Sequence, residues 1–468
     1  MIVVLISGIA AALIWGVLFF RQAGIWGVTL ATLVLGTVFG YAFIQISVVT
    51  SDRLLLAVSL VAFVVYRYRG WLDRKQWTGT DLLFGIFLAA MILTTFLQDW
   101  RYHESAPLNK VLFFFLLPSG MYLLGKELTI NATQIKWLYG VFALLGFYLA
   151  VTSCAERFDL RWAVFPRYIN EPTIEEFLGR GRGPLLNPSG NGILLTLGLS
   201  CWLMFYPYVK RGGKAILICI VPIFLAGILC TMTRCVWIGG MLALGGIILM
   251  TMPKKLRMPS IVCTAMLGVL VLGTSVENLA SFKRDKNVSE ADMRQSAKLR
   301  PMLAIVAGKM FVDHPLLGCG TGQYLRVAGD YLSRRDVDLP MEQIRPYVQH
   351  NIFLSLLVEN GLLATMPFIV LLIIWCRDAW RIWSNQTLEL AHRQFGLVFL
   401  GFISGYLANG MFQDVLIIPM VNMYLFFLAG CVRSLTLQRG PARQPSLSSV
   451  RPAECRRVSL RRTEGILR

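Results

Sequence analysis

The chain alternates between long apolar runs and short polar connections. Runs such as AILICIVPIFLAGILCTM and CVWIGGMLALGGIILMTM approach the length of about 20 residues that a helix needs to cross a bilayer core of about 30 Å. Barrel strands would be shorter and would alternate apolar with polar residues, so the unbroken runs favour helices. The pattern therefore predicts an all-α, polytopic helical membrane protein.

About twelve transmembrane helices follow from the apolar runs. The first 66 residues hold two or three of them, because RLLLAVSLVAFVV is short, and two gives twelve in all. The run from Met1 lacks the basic segment of a cleavable signal peptide. The remaining spans are predicted near residues 81–97, 111–124, 136–153, 190–208, 215–232, 235–252, 259–274, 352–376, 394–412 and 414–433.

Basic loops set the predicted orientation. Four connections are rich in Lys and Arg, near residues 67–75, 210–214, 254–257 and 377–393. Threading the spans alternately places all four on one side, which the positive-inside rule makes cytoplasmic. The helical bundle then occupies residues 1–435. Two long polar segments, 154–189 and 275–350, become periplasmic loops, and near-helical apolar spacing predicts that the second is partly helical.

Composition supports the membrane class, with 56% hydrophobic and 15% charged residues and a mean hydropathy of +0.61. A net charge of +19 would suit nucleic acid, but much of it lies in the Arg/Ser/Pro-rich tail, residues 436–468. This tail is predicted to be a disordered cytoplasmic end near anionic lipid. We therefore expect membrane lipids, and no nucleic acid, as partners.

The ten cysteines are scattered singly, without CxxC or paired Cys/His spacing, which argues against a zinc or redox site. Most are expected to pack within spans. Cys154 and Cys319 alone are predicted outside the bilayer on the periplasmic side, so a disulfide between them is an open alternative.

His350 stands at the start of an apolar run, HNIFLSLLVENGLL. If a helix begins at Asn351, the positive end of its dipole opposes protonation of the imidazole, which leaves it neutral at pH 7. A neutral histidine at the water–lipid boundary suits a general base. The alternative is a histidine that only hydrogen-bonds at a helix start. Glu359 lies within the same run, where an ionisable group is costly and therefore a candidate for function or pairing.

Several arginines could bind phosphate on the periplasmic side. They are Arg180 and Arg182 before the span near 190–208, Arg234 between two apolar runs, Arg300 in the amphipathic stretch and Arg345 before His350. Guanidinium groups hold phosphate oxygens through bidentate, charge-assisted bonds. The alternative for each is anchoring to lipid headgroups.

Three weaker patterns have simpler interpretations. Gly318–Gly322, GCGTG, has no strand–helix context and is typical of a tight turn rather than a phosphate loop. The DVD of 336–338 could bind a divalent metal, but two preceding arginines favour local salt bridges. The sequon at Asn131 falls on the predicted cytoplasmic side, so we discard it.

The order of motifs resembles the O-antigen ligase and polymerase superfamily of bacterial envelope enzymes. A TR pair opens a span, an arginine in a long external loop precedes HPLLGCGTGQY, and HNIFLSLLVENGLL follows. The resemblance covers roughly residues 180–375. The family usually has glycine where this chain has Cys235, and often tryptophan where it has Ala304. Neither difference removes a reactive group.

The resemblance implies a C-type-like glycosyltransferase of the bacterial inner membrane with a periplasmic active site. It would transfer an undecaprenyl-pyrophosphate-linked glycan to an acceptor, which for the ligases is a sugar hydroxyl of lipid A–core. His350 would be the base, and Arg234, Arg300 and Arg180 or Arg182 would bind the diphosphate. Arg345, Asn351 and Glu359 would support the site. No metal and no cofactor would be needed.

Rival functions stay open. An O-antigen polymerase or a protein O-oligosaccharyltransferase of the same superfamily would share the donor and the chemistry. A membrane transporter is more remote, because few polar residues are predicted at mid-span. The segment 352–376 is either one span or a short interfacial helix followed by a span that begins at Gly361.

Overall fold

The computed structural model describes residues 24–43, 45–46, 49–72, 75–102, 106–252, 290–332, 341–345 and 347–438, with isolated positions between 255 and 266. Strands β1 (Gln45–Ile46) and β2 (Val49–Thr50) form a short antiparallel pair. The helices are α1 (Gly24–Phe39), α2 (Ser51–Tyr68), α3 (Gly79–Leu97), α4 (Pro107–Glu127), α5 (Ala132–Arg157), α6 (Pro188–Leu203), α7 (Arg211–Cys230), α8 (Arg234–Thr251), α9 (Glu290–Asp313), α10 (Tyr324–Leu332), α11 (Ile352–Ser384), α12 (Leu390–Gly410) and α13 (Pro419–Leu437).

Within the described residues, seven helices are long and apolar enough to span a bilayer, namely α3, α4, α5, α7, α8, α11 and α13. Helices α6 and α12 coincide with two further predicted spans. The polytopic helical class is therefore confirmed. The number twelve stays a prediction, since residues 1–23, most of the predicted span 259–274 and the tail from 439 onward lie outside the described residues.

Asparagine side chains begin three of these helices. Asn131 caps α5, Asn187 caps α6 and Asn351 caps α11, each accepting hydrogen bonds from backbone N–H groups of the first turn. Pro188 follows Asn187 at the first position of α6, where its missing N–H costs nothing. Local sequence thus marks where these three helices start.

Small residues allow the helices to approach closely. A Cβ added at Gly125 of α4 would lie 2.3 Å from the Phe427 carbonyl oxygen of α13, and a Cβ at Gly430 would lie 2.3 Å from the Tyr122 oxygen. Helix α13 is enclosed by its neighbours, and nearly all of its residues are buried. In a membrane, where apolar burial between helices adds little, such packing is the main source of helix association.

The basic connections gather at one end of the bundle. Lys126 pairs with Asp81 at 2.8 Å, and Arg433 forms an ion pair with Asp378, both inside the protein. His392 on α12 lies 3.2 Å from the carbonyl oxygen of residue 130 before α5. These contacts place the ends of α3, α4, α11 and α13 together. They match the predicted grouping of basic loops, and the cytoplasmic assignment stays a prediction.

The opposite end carries the long polar segments. Helix α5 runs to Arg157 and α6 starts at Pro188, so the first segment is close to its predicted bounds. Helices α9 and α10 lie in the second segment and confirm that it is partly helical. Their periplasmic location stays a prediction.

Candidate active site

Helix α11 is broken at Gly361, which has φ 64° and ψ −167°. The chain there is a short helix followed by a longer one, as in the second of the two alternatives for 352–376. At the break, the N–H of Leu362 donates to the carbonyl of Pro315 at 2.8 Å, and the N–H of Leu363 donates to Leu316 at 3.2 Å. Both donors take partners from the HPLLG segment instead of from their own helix.

In an unbroken helix, Leu362 and Leu363 would donate to the carbonyl groups of residues 358 and 359. These carbonyl groups accept hydrogen bonds from the same loop instead. The N–H of Cys319 donates to Val358 O and that of Gly320 to Glu359 O, both at 2.8 Å. Glycines permit this approach, because a Cβ at Gly318 would lie 2.4 Å from the backbone of Glu359. GCGTG is therefore a tight turn that docks onto the helix break, and the two motifs form one unit.

Glu359 faces this turn. Its Oε2 accepts a hydrogen bond from the N–H of Gly322 at 2.7 Å, so the carboxylate holds the loop in place. The neighbouring Asn360 donates through Nδ2 to the hydroxyls of Thr94 and Thr321, both at 2.7 Å. The sequence singled out Glu359 as a functional or pairing residue, and its contacts are those of a residue that supports the site.

His350 is half-buried immediately before the first turn of α11. Burial and the nearby positive charge of Arg300 both lower its pKa from the usual 6.5. The sequence predicted a neutral imidazole from the helix dipole, and the structure adds desolvation and a neighbouring cation as causes. An imidazole that is neutral at pH 7 can accept a proton.

Arg300 is exposed on α9, and its guanidinium lies 5.5 Å from the centroid of the Phe412 ring. Phe412 lies in the connection between α12 and α13. Asn351 contacts the same connection, since its Nδ2 donates to Met411 O at 3.0 Å. The structure thus brings Arg300, His350 and Asn351 together around the segment that follows α12.

Arg234 is exposed at the first position of α8. A Cβ at Gly239, further along α8, would lie 2.9 Å from the Cα of Gly405 on α12. A Cβ at Gly401 of α12 would lie 3.7 Å from the Cβ of Ala243 on α8, so the two helices run antiparallel, and the start of α8 lies near the end of α12. Arg234 therefore lies at the same end of the bundle as Arg300 and His350.

Arg180 and Arg182 are buried in the loop before α6, at 1% and 0% exposure. Arg180 donates to the carbonyl of Thr231 at 3.3 Å and to the Thr233 hydroxyl, which fixes the turn that precedes Arg234. Arg182 donates to the carbonyls of Ile169, Ile174 and Glu176. These bonds occupy most of its donors, so its contacts organise the loop and do not support direct contact with a diphosphate.

The remaining sequence candidates lie elsewhere. Arg345 is exposed and approaches Gly329 on α10. Cys154 and Cys319 are both free thiols, and Cys154 lies against Cys230, so the pairing considered from the sequence is wrong. Cys230 is the last residue of α7, whereas the backbone of Cys319 bonds to Val358 on α11. Residues 336–338 lie outside the described residues, and among those described no three His, Cys, Asp or Glu side chains form a metal-binding group.

Sequence reasoning missed Asp414, which lies beside the first turns of α11. Its Oδ2 accepts a hydrogen bond from the Ser355 hydroxyl at 2.7 Å, and its Oδ1 accepts one from the N–H of Leu416 at 3.2 Å. The carboxyl is mostly enclosed but keeps an exposed edge, and this desolvation raises its pKa to about 6. The sequence offered one indication of Asp414, namely that it is the single acidic residue in FQDVLIIP, between two apolar runs.

Two adjoining cavities lie at this end of the bundle, and Asp414 and Glu359 line one of them. The larger, of 530 Å³, is lined by residues such as Arg53, Asn109 and Asn187, and the smaller, of 300 Å³, by residues such as Gln349, Glu359 and Asp414. Lys110, Phe114 and Ile417 line both, so the two cavities adjoin. Lys110 was also missed, because one lysine before an apolar run carries no distinctive pattern.

A bundle of apolar helices with a polar, cation-bearing cluster at one end defines a polytopic helical membrane protein. Residues 218–369 match the family model described as O-antigen ligase. This match covers about a third of the chain and includes Arg234, Arg300 and both motifs. It supports the resemblance to the O-antigen ligase superfamily over that segment. The family implies glycosyl transfer of ligase or polymerase type, with lipid-linked glycan and lipid substrates. A comparison with curated proteins gives no match.

Proposed function

We propose that this chain is an O-antigen ligase of the bacterial inner membrane, with its active site facing the periplasm. It transfers a glycan from undecaprenyl pyrophosphate to a sugar hydroxyl of lipid A–core. The observation that carries the proposal is the half-buried His350, the first residue of the second motif, beside the exposed Arg300 that precedes the first motif.

In this mechanism His350 acts as general base. Its lowered pKa keeps the imidazole neutral at pH 7, so a ring nitrogen accepts the proton of the acceptor hydroxyl. The oxygen then attacks the anomeric carbon of the donor sugar. The new C–O bond forms as the C–O bond to the pyrophosphate breaks, and the electron pair leaves with undecaprenyl pyrophosphate. One direct displacement inverts the anomeric configuration.

Exposed guanidinium groups take the role of cations in this reaction. Arg300 and Arg234 bind the diphosphate and stabilise the charge that develops on the leaving group, which is commonly the largest single contribution to catalysis. Arg180 positions the turn before Arg234 through its bonds to Thr231 and Thr233. The proposal requires neither a metal ion nor a cofactor.

The test combines purified protein, undecaprenyl-pyrophosphate-linked glycan and lipid A–core in the presence of EDTA. Wild type should form product, and His350→Ala should be slower by about 10²–10⁴-fold. His392→Ala is the matched control, because this histidine lies at the basic end of the bundle and should leave the rate unchanged. Ligation by His350→Ala at the wild-type rate would contradict the mechanism.

The rival functions have separate assays. A polymerase would extend the glycan when the donor is supplied alone, and a protein O-oligosaccharyltransferase would modify a purified pilin or peptide. A transporter would move a labelled solute across liposomes without any glycosyl transfer. The last outcome would overturn the assignment as an enzyme.

A further inference from the structure

The 300 Å³ cavity lies next to the proposed base, because the two residues that precede His350, Val348 and Gln349, are part of its wall. It is at the lower end of the range of about 300–1,000 Å³ that small-molecule sites occupy. Its volume therefore suits one small ring rather than a chain of several sugars. The proposed mechanism so far makes no use of it.

Two buried amide side chains are part of the cavity wall, and each has an oxygen without a hydrogen-bond partner among the described residues. These oxygens are Gln349 Oε1 and Asn360 Oδ1, on side chains that are 2% and 1% exposed. The Nδ2 of Asn360 donates to the hydroxyls of Thr94 and Thr321, which leaves its Oδ1 as an acceptor without a donor among the described residues. A buried polar atom without a partner is costly, so each requires an explanation.

The charged groups of the lining are also mostly acceptors. Asp414 and Glu359 contribute carboxylates, and Lys110 contributes the balancing cation. A Cβ at Gly322 would lie 2.7 Å from Lys110 Nζ, which places the ammonium group beside the turn that Glu359 holds. The lining therefore offers more hydrogen-bond acceptors than donors, which disfavours an anionic ligand such as a diphosphate. The ligand should instead be neutral and should donate several hydrogen bonds.

Apolar groups complete the wall. The side chains of Phe114, Phe115, Met91 and Leu356 line the same cavity. An aromatic surface combined with several hydrogen-bond acceptors suits a pyranose, because its ring has an apolar face and its hydroxyls are donors. Purely apolar ligands would leave the amide oxygens unpaired.

We propose that this cavity is a carbohydrate subsite that holds one sugar ring, with Gln349, Asn360 and Asp414 accepting hydrogen bonds from its hydroxyls. Holding the ring there would orient a reacting group towards His350. The assignment of the ring to a substrate rests on the proposed function, and two sources share the same chemistry. They are the terminal sugar of the acceptor and the first sugar of the donor glycan.

The test measures initial ligation rates while donor and acceptor concentrations are varied separately. Gln349→Met removes the acceptor atom at nearly constant length, and Asp414→Asn removes the charge while it keeps the shape. Each should raise KM for one substrate about three- to tenfold, as expected for one lost hydrogen bond. Gln438→Met, the same substitution at the far end of α13, is the matched control. A rise for the acceptor identifies the acceptor sugar, and a rise for the donor identifies the donor sugar.

A binding measurement separates failure of the subsite from failure of the proposed function. Saturation-transfer NMR with glucose, galactose and N-acetylglucosamine should show contact with wild type and loss of the signal with Gln349→Met. If wild type does not ligate, the proposed function fails and this measurement alone decides the subsite. Unchanged KM values in an active enzyme, or sugar signals that are absent or equal in wild type and variant, would overturn the proposal.

Discussion

Replacing Gly361 by alanine tests the coupling between the two motifs. Gly361 has φ 64° and ψ −167°, a combination that is almost confined to glycine. A Cβ there would lie 2.2 Å from the carbonyl oxygen of Leu316 and 2.6 Å from the backbone nitrogen of Leu317. These are backbone atoms, so the HPLLG segment would have to move away from the helix break.

The expected loss in the free energy of unfolding has two parts. Holding a residue with a side chain in this conformation costs about 1–3 kcal/mol. Displacing the loop also weakens the bonds from Leu362 to Pro315 and from Leu363 to Leu316, each worth about 1 kcal/mol. We therefore expect Gly361→Ala to lower the free energy of unfolding by about 2–5 kcal/mol. Ligation should fall as well, because Glu359 and the start of α11 would lose their support.

The assay is unfolding of the purified protein in mixed micelles, followed by tryptophan fluorescence, with ligation measured in parallel. Gly308→Ala is the matched control. Gly308 lies in α9, a Cβ there would meet nothing within 4 Å, and alanine should stabilise the helix by up to about 1 kcal/mol. If Gly361→Ala unfolds at the wild-type denaturant concentration and ligates normally, the break does not require glycine and this reasoning is refuted.

Three further predictions follow from other contacts. Arg300→Gln removes a like charge that lowers the pKa of His350, so the acid limb of the kcat/KM profile should move to higher pH, whereas Arg300→Lys should leave it in place; an unmoved limb in both variants would contradict the electrostatic coupling. Asp378→Asn leaves Arg433 buried without its counter-ion and should destabilise the bundle by about 3–5 kcal/mol while the pH profile is unchanged, as checked by unfolding and kinetics. Arg182→Lys loses the planar fork that binds several carbonyl groups and should cost about 3 kcal/mol or more in unfolding assays, with little change in KM for the donor in protein that folds.

Hydrophobic patterning was sufficient for the helices, because apolar runs of bilayer length leave few alternatives. It also placed the start of α11, since Asn351 is a good capping residue and His350 precedes it directly. The neighbourhood of His350 and Arg300 was suggested by family motifs, whereas spacing alone could not have joined residues that are fifty positions apart. The structure supplies the cause of their proximity, which is the docking of α9 and its turn onto α11.

The remaining parts of the site depend on contacts that one sequence does not reveal. Arg180 and Arg182 are similar in their local pattern to arginines that bind phosphate, yet backbone carbonyls and a threonine hydroxyl satisfy them. Lys110 and Asp414 come from connections that are far apart in the chain, and only the folded bundle brings them to one cavity. Tertiary structure determines which partners a polar side chain bonds.

The exchanged hydrogen bonds at the break of α11 have a consequence for how this protein can diversify. Because the GCGTG turn is tied to residues 358 and 359, the chain between the turn and His350 begins and ends at the same short helix. Lengthening such a closed segment costs only about 0.6 kcal/mol for each doubling of its length. Positions of this segment that lie away from the cavity wall can therefore accept insertions at little cost in stability, which makes them a natural place for evolution, or for an engineer, to change what the protein recognises.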